Sequence, residues 1–303
     1  MSLETREHDV LVTATASDLP TAVAAALRHQ RMADAPPGER GTVTAAGHDW
    51  ATLTWGDPYR SPLLFVHGVT SEAAIFWRLA PAVAAAGWRV VAVDLPGHGG
   101  TGQWRARHRF AETALDLAAF IRTAALDVPE LAVLGHSWGG MIVAALPAAG
   151  IRPRSLILLD PPHLGLDALE LMTKDPSEQR YASIADAHAR VHAMNPSWSD
   201  GDVEAKARGL TRFDVDGVLA VLLENGPWDA GLRSLDVPAA AGIPVWYIRG
   251  ELHAGGLIPE AALPELAARA GADHVLTIAG GPHSPMRTHP EATTLAVLRA
   301  LAG

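Results

Sequence analysis

The segment Leu131–Val143, with the sequence LAVLGHSWGGMIV, decides the fold. Its first residues are apolar, a Gly-x-Ser-x-Gly pattern follows at once, and an Ala-rich stretch comes next. This order predicts a buried strand, a sharp turn with Ser137 at its apex, and a helix. Such a turn is too crowded for side chains at positions 135 and 139, where glycines stand, and N–H groups at the helix start favour an anionic intermediate. The segment therefore predicts a nucleophilic serine.

Short apolar runs recur along the chain and indicate an α/β fold. Segments rich in Ala and Leu, with helical character, separate them. Runs that are apolar on both faces and alternate with helices predict a mostly parallel sheet covered by helices on both sides. The runs are Leu63–Val66, Arg89–Val93, Leu131–Leu134, Ser155–Leu159, Val245–Ile248 and Val275–Ile278.

Different elements are predicted before the first of these runs. Pro20, followed by an Ala-rich stretch, predicts a helix over residues 18–33. The segments Thr42–Ala46 and Ala51–Trp55 alternate polar and apolar residues, so they predict an antiparallel hairpin around residues 47–49.

A long insertion separates two of the apolar runs. Residues 161–242 contain no strand-like segment, and they are far longer than an ordinary connection. We predict a helical cap over residues 161–242 and a core formed by residues 1–160 and 243–303. Helices within the cap are predicted at Leu166–Met172, Ser183–Met194, Asp202–Leu210 and Val215–Leu223.

Composition excludes several kinds of site. The 303 residues include no cysteine, which excludes a disulfide, a thiolate nucleophile and a Cys-ligated metal. A net charge of −9 without a basic segment argues against nucleic acid or a membrane as the partner. The N-terminus lacks an apolar signal core, which predicts a cytoplasmic protein. His188 and His192 lack the intervening Glu of a zinc motif, so no metal is predicted.

Three further motifs, together with the serine turn, resemble those of the α/β-hydrolase superfamily. Phe65–Val69 is similar to the family's HG turn, Asp94–Thr101 to its D-x-P-G-x-G turn, and Gly280–Pro285 to the loop that carries the catalytic histidine. The resemblance extends from about residue 42 to 300. It implies the α/β-hydrolase fold, with a helical cap inserted before the penultimate core strand.

The resemblance also implies the roles of individual residues. Ser137 corresponds to the nucleophile and His283 to the general base, and the N–H groups of Val69 and Trp138 to the oxyanion hole. A serine hydroxyl needs an imidazole to take its proton and a carboxylate to hold that imidazole in the right tautomer. The other histidines of these motifs, His67, His98 and His136, are interpreted as residues that pack the turns.

The acid departs from the family pattern. Its usual position, after the strand Val245–Ile248, holds His253, which cannot supply negative charge. Asp160, at the end of the preceding strand, and Glu251 are the two candidates. We prefer Asp160, although an Asp before two prolines also commonly caps a turn.

The predicted pocket is apolar and partly aromatic. Trp77, Trp198 and Trp228 are predicted to line it, and no cluster of Arg or Lys marks an anionic partner. These features predict a serine hydrolase that cleaves small to medium hydrophobic esters, small-molecule substrates, through an acyl-enzyme and without a cofactor.

Other functions remain open on the same residues. A C–C bond hydrolase, a lactonase and an amidase resembling prolyl iminopeptidases would use the same triad. The amidase needs cap carboxylates to bind a free amine, and Glu170, Asp186, Glu204 and Glu224 are available. A protein of another class, which binds small ligands without turnover, is favoured by the absence of the acid from its usual position. Oligomeric state is left open.

Overall fold

A ten-stranded sheet forms the centre of the structure, a computed structural model that describes residues 1–102, 109–175, 178–236, 240 and 242–303. Its order is β1-β2-β12-β11-β8-β7-β5-β6-β4-β3. All six predicted apolar runs lie in parallel strands of this sheet. The strands are β1 (Ser2–Thr5), β2 (Val10–Thr13), β3 (Glu39–Ala45), β4 (His48–Trp55), β5 (Pro62–Val66), β6 (Arg89–Val93), β7 (Ala132–His136), β8 (Ser155–Leu159), β11 (Val245–Arg249) and β12 (Val275–Ile278), with β9 (His163–Leu164) and β10 (Trp228–Asp229) forming a separate ribbon.

Helices cover both faces of the sheet. In β5, Leu64 and Val66 belong to one hydrophobic core, whereas Leu63 and Phe65 belong to the other, as the alternation of a strand requires. The first core is closed by α3 and α4, and the second by α2 and α12. The predicted α/β-hydrolase architecture is therefore confirmed. The helices are α1 (Thr21–Leu27), α2 (Leu79–Ala85), α3 (Phe110–Thr123), α4 (Trp138–Ala145), α5 (Leu166–Met172), α6 (Ile184–Met194), α7 (Asp200–Thr211), α8 (Val215–Glu224), α9 (Leu232–Leu235), α10 (Leu263–Ala270), α11 (Pro285–Thr288) and α12 (Pro290–Ala302).

The N-terminal helix is shorter than predicted. Instead of residues 18–33, α1 covers Thr21–Leu27, with short 3-10 turns on either side. Leu19 is extended (φ −109°, ψ 151°) because the ring of Pro20 disfavours a helical residue before it. The helix therefore begins only after the proline.

The predicted hairpin is present, but its turn is displaced. Ala46 and Gly47 connect β3 to β4, with φ values of 51° and 77°. Positive φ at both positions is the geometry of a two-residue turn that matches the twist of the strands. Both strands therefore extend beyond the alternating segments that predicted them.

Two strand pairs were not predicted. The strands β1 and β2 form one edge of the sheet, where β2 pairs with β12 through Val10 and Val12, but β1 is largely exposed and carries no apolar run. The ribbon of β9 and β10 contradicts the prediction that residues 161–242 contain no strand. Its strands have two residues each, too few for any periodicity to show.

The predicted cap carries helices close to their predicted positions. Between β8 and β11 the chain forms α5, α6, α7, α8 and α9. A buried ion pair fastens α7 to the core, where Arg78 Nη2 donates to Asp202. The boundaries of the cap domain themselves stay a prediction. Within the residues described, no helix is both long and apolar enough to cross a membrane.

Candidate active site

Ser137 occupies a sharp turn between β7 and α4. Its backbone has φ 57° and ψ −127°, which is unfavourable for a residue with a side chain. A Cβ on Gly135 would lie 2.3 Å from the carbonyl oxygen of Gly139, and one on Gly139 would lie 2.4 Å from that of Val66. Backbone atoms thus occupy the space that side chains at positions 135 and 139 would need, as the sequence predicts.

His283 joins the serine to a carboxylate. Its Nε2 lies 2.9 Å from Oγ of Ser137, and its Nδ1 lies 2.7 Å from Oδ2 of Asp160. An Nδ1–H that donates to the carboxylate leaves Nε2 free to accept the serine proton. The three side chains therefore form a continuous hydrogen-bonded chain.

Asp160 is completely buried directly after β8. Its Oδ1 accepts the N–H of Gly250 and its Oδ2 that of Leu257, both at 3.0 Å. These bonds and the bond to His283 hold the carboxylate in one orientation. The residue adopts a φ of 44°, so the backbone bends sharply where the acid emerges from the strand.

Glu251, the alternative acid, lies elsewhere. Its Oε2 accepts the N–H of Gly280 at 2.7 Å, and its Oε1 faces Arg6 at 3.6 Å. Among the contacts of the described residues, Glu251 has none with His283. The side chain of His253, at the usual position of the acid, is 76% exposed. Glu251 thus links the segment after β11 to the segment after β12.

The backbone around the predicted oxyanion hole lies against Ser137. A Cβ on Gly68 would be 2.8 Å from Cβ of Ser137 and 3.3 Å from its Oγ. Val69 lines the cavity in front of the serine, and Trp138 is the first residue of α4. Val69 and Trp138 thus lie on elements that border Ser137, and the role of their N–H groups in an oxyanion hole stays a prediction.

His67 fixes the turn that contains Gly68. Its Nδ1–H donates to the carbonyl of Gly68 at 2.7 Å, and its Nε2 accepts the N–H of Leu95 at 3.0 Å. Burial lowers the pKa of His67 to about 4. The ring is therefore neutral near pH 7 and retains the single proton that these bonds require.

His136 contributes more than packing. Its Nε2–H donates to the backbone carbonyl of His283 at 3.0 Å, and the two rings lie 4.9 Å apart. Burial, and then the charge of His283, hold the pKa of His136 well below its ordinary value. His136 is therefore a neutral donor that positions the backbone of His283.

A cavity of about 440 Å³ opens in front of Ser137 and His283. Its apolar wall includes the predicted Trp198, with Ile75, Met172 and Met194. This volume lies within the usual range of small-molecule sites.

Two predicted pocket residues do not line this cavity. Trp77 is buried, and its Nε1 donates to Asp202 at 3.0 Å, so it supports the attachment of the cap. Trp228 is buried against Phe110, with ring centroids 5.2 Å apart. Both predictions are wrong because large aromatic side chains stabilise any packed interface, whether or not a ligand lies there.

The charge of the cavity also differs from the prediction. Lys206, Arg287 and Arg190 line it, together with Asp175 and Glu178. The prediction that no cations cluster at the pocket is therefore wrong, whereas the predicted apolar wall is present. The cations come from α7, α11 and α6, so no local run of sequence reveals them. Of the three cations, only Arg287 could be linked to the site from the sequence, because it follows His283 by four residues.

Lys206 and Arg287 have different surroundings. Nζ of Lys206 lies 2.6 Å from Glu178 and donates to Oγ1 of Thr70 at 3.1 Å. Burial lowers the pKa of Lys206, and Glu178 opposes that change. The guanidinium of Arg287 lies over the ring of Trp198 at 4.2 Å, and burial lowers its pKa to about 10. Arg287 therefore remains cationic near neutral pH.

Metal-ligating residues do not gather in the described part of the chain. There, no group of three His, Asp or Glu side chains is placed to hold an ion. His188 and His192 are exposed, with rings 6.4 Å apart on one face of α6.

Comparison with known proteins agrees with this geometry. The sequence profile of the α/β-hydrolase fold matches residues 61–200. The chain has the α/β-hydrolase fold. It is 29% identical over 247 residues to a 2-(acetamidomethylene)succinate hydrolase of Mesorhizobium japonicum, covering 78% of this chain and 86% of the relative.

Two further proteins are similar over most of their length. A pimeloyl-[acyl-carrier protein] methyl ester esterase of Xylella fastidiosa is 24% identical, over 80% of this chain and 96% of the esterase. The crystal structure of an E-2-(acetamidomethylene)succinate hydrolase superposes with a TM-score of 0.71 at 23% identity, covering 88% of this chain and 100% of the other. The structural similarity supports the α/β-hydrolase fold of this chain.

Proposed function

We propose that this protein is a serine hydrolase that cleaves carboxylic esters through an acyl-enzyme on Ser137. The hydrogen-bonded chain of Ser137, His283 and Asp160 supports this proposal most strongly, because it supplies a nucleophile, a base and an orienting carboxylate in the required order. The adjoining cavity gives a small ester access to the serine.

Acylation begins with the transfer of the Ser137 proton to Nε2 of His283. Oγ then forms a bond to the ester carbonyl carbon, and the carbonyl oxygen becomes an oxyanion. The N–H groups of Val69 and Trp138 stabilise that oxyanion. Asp160 stabilises the imidazolium without taking its proton.

The remaining steps return the enzyme to its starting state. His283 gives its proton to the leaving alkoxide, the C–O bond breaks, and the acyl group remains on Ser137. Water then loses a proton to His283 and attacks the acyl carbon. The bond between that carbon and Oγ breaks, His283 gives its proton to Oγ, and the carboxylic acid leaves.

The alternative of a ligand-binding protein without turnover rested on the missing acid. Asp160, at the end of a different strand, lies 2.7 Å from Nδ1 of His283, and this contact supports turnover over that alternative. Within the described residues, none of the four candidate carboxylates of the aminopeptidase alternative lines the cavity, but two other carboxylates of the predicted cap, Asp175 and Glu178, do, so that alternative stays a prediction. The C–C hydrolase and lactonase alternatives use the same nucleophile and stay predictions.

Amide hydrolysis is the second candidate. The relative from Mesorhizobium japonicum is named for a substrate that contains an acetamide group. Acyl transfer to Ser137 would cleave an amide by the same steps, with His283 protonating the leaving nitrogen.

Hydrolysis of 4-nitrophenyl butyrate by the wild type and by Ser137→Ala tests the proposal. We expect turnover in the wild type and its loss in the variant, with both proteins folded by circular dichroism. The corresponding 4-nitroanilide, assayed in parallel, tests amide hydrolysis. Equal ester turnover in both proteins, or none in a folded wild type, would contradict the proposal.

A further inference from the structure

Arg287 is a buried cation in the substrate cavity without a carboxylate partner in the described residues. It is 6% exposed and lines the same cavity as Ser137 and His283. Its Nε is buried and has no hydrogen-bond acceptor among the residues described. An unpaired buried charge costs several kcal/mol, so such an arginine requires an explanation.

The acids that attract Arg287 electrostatically are already engaged. Asp202 and Glu178 exert this attraction, but Asp202 is paired with Arg78 and Glu178 with Lys206. Asp175, which also lines the cavity, acts on Lys206. Arg287 is thus a buried cation of the cavity that forms no ion pair within the described residues.

The position of Arg287 is fixed before any ligand arrives. Its backbone carbonyl accepts a hydrogen bond from Nη2 of Arg78 at 2.7 Å. Its guanidinium lies over the ring of Trp198. The guanidinium carries its N–H donors in a fixed planar fork, and this fork matches the two oxygens of a carboxylate.

We propose that Arg287 binds a carboxylate of the substrate, so that the preferred substrates are esters or amides that carry a carboxylate besides the bond cleaved. This inference rests on the proposed function, because it assumes that the cavity in front of Ser137 is the substrate site. The expected substrate is therefore an anionic ester or amide rather than the hydrophobic ester predicted from the sequence.

Matched pairs of esters test this preference. Mono-4-nitrophenyl adipate and 4-nitrophenyl hexanoate differ only by a carboxylate on the acyl side. For the leaving group, 4-acetoxybenzoate is compared with its methyl ester. We expect at least one pair to favour the anion by about tenfold or more in kcat/KM, as a charge-assisted hydrogen bond gives. The pair that shows the preference locates the carboxylate.

Variants then assign the preference to Arg287. In Arg287→Gln the ratio of the two kcat/KM values should fall to about one or below, and Arg287→Lys should give an intermediate ratio, because it keeps the charge but loses the fork. Arg60→Gln is the matched control, since its side chain is 63% exposed in a turn and the change in net charge is identical. It should keep the wild-type ratio.

A measurement on the wild type alone tests the inference even if Arg287→Gln does not fold. Adipate should inhibit hydrolysis of the neutral ester competitively, whereas the uncharged adipamide should not. Neutral esters favoured in both pairs, equal inhibition by both compounds, or an unchanged ratio in Arg287→Gln would overturn the inference.

Failure of the proposed function can be distinguished from failure of the carboxylate site at Arg287. A folded wild type that hydrolyses none of the four esters contradicts the serine hydrolase. Calorimetric titration with adipate still tests Arg287 in that case, because it requires no turnover. Binding to the wild type and its loss in Arg287→Gln would support the carboxylate site, and equal or absent binding in both would overturn it.

Discussion

Oδ2 of Asp160 lies 2.7 Å from Nδ1 of His283, although Asp160 follows β8 and the family's usual acid follows β11. The two strands are parallel neighbours, with Leu159 opposite Ile248. Their C-terminal ends therefore emerge side by side at one edge of the sheet. A carboxylate at the end of β8 can reach the same imidazole as one at the end of β11.

This relationship predicts the effect of Asp160→Asn. Asn keeps only one accepting oxygen, whereas both oxygens of Asp160 accept hydrogen bonds. Where the NH2 group faces Nδ1, the histidine takes the wrong tautomer, and its cation loses the stabilising negative charge in either orientation. We expect kcat for ester hydrolysis to fall by about 10⁴-fold. Steady-state kinetics on the 4-nitrophenyl ester measures the change.

The matched control is Glu251→Gln, which removes one charge from the other candidate acid. Glu251 bonds to Gly280 and faces Arg6, so its loss should alter kcat by less than about tenfold. A larger loss of kcat in Glu251→Gln than in Asp160→Asn would show that the acid is misassigned.

A second prediction concerns the attachment of the cap. Asp202 is 2% exposed, pairs with Arg78 and accepts from Nε1 of Trp77. Asp202→Asn leaves Arg78 buried without its counter-charge, so the free energy of unfolding should fall by about 3 kcal/mol. Chemical denaturation measures this loss.

The exposed ion pair of the cap provides the comparison. Glu170 and Lys174 lie 3.5 Å apart, with side chains 65% and 67% exposed. Glu170→Gln should therefore change the stability by less than about 0.5 kcal/mol. The account of the cap fails if Asp202→Asn is no more destabilising than Glu170→Gln.

A third prediction concerns pH. The pKa of His67 is about 4 in the folded protein, against an ordinary value of 6.5. As the pH falls below about 6.5, the unfolded chain takes up a proton that the folded protein excludes, so folding stability decreases until the pH reaches about 4. Between pH 7.5 and pH 5 this single group lowers the free energy of unfolding by about 2 kcal/mol.

Comparison of the wild type with His67→Gln isolates this contribution, since the other titrating groups are common to both proteins. Denaturation at the two pH values should show a decrease about 2 kcal/mol larger in the wild type. The same decrease in both proteins would mean that His67 is protonated as readily in the folded state as in the unfolded chain.

The features that the sequence predicts well are local. The serine turn is encoded by glycines two residues on either side of Ser137, because backbone atoms occupy the space that their side chains would need. Each central strand is a run of consecutive apolar residues. Asp160 could be preferred as the acid because it lies at a strand end, although only the sheet order shows that this end adjoins β11.

The character of the cavity could not be predicted in the same way. Lys206 and Arg287 are 81 positions apart in the sequence, and only the folded chain brings both to the wall of one cavity. Trp77 and Trp228 were predicted to line the pocket, but they pack against other parts of the protein. Large aromatic side chains occur both in packed interiors and in ligand sites, so the sequence alone does not distinguish the two. Ionic composition of a cavity depends on tertiary packing that single segments do not encode.

The central claim, an activated serine at position 137, is tested most directly by covalent labelling. The purified protein is treated with a fluorophosphonate and analysed by mass spectrometry of the intact chain and its peptides. We expect a single adduct on the peptide that contains Ser137, no adduct in Ser137→Ala, and much slower labelling in His283→Gln. A folded wild type that remains unlabelled, or is labelled at another residue, would contradict the account.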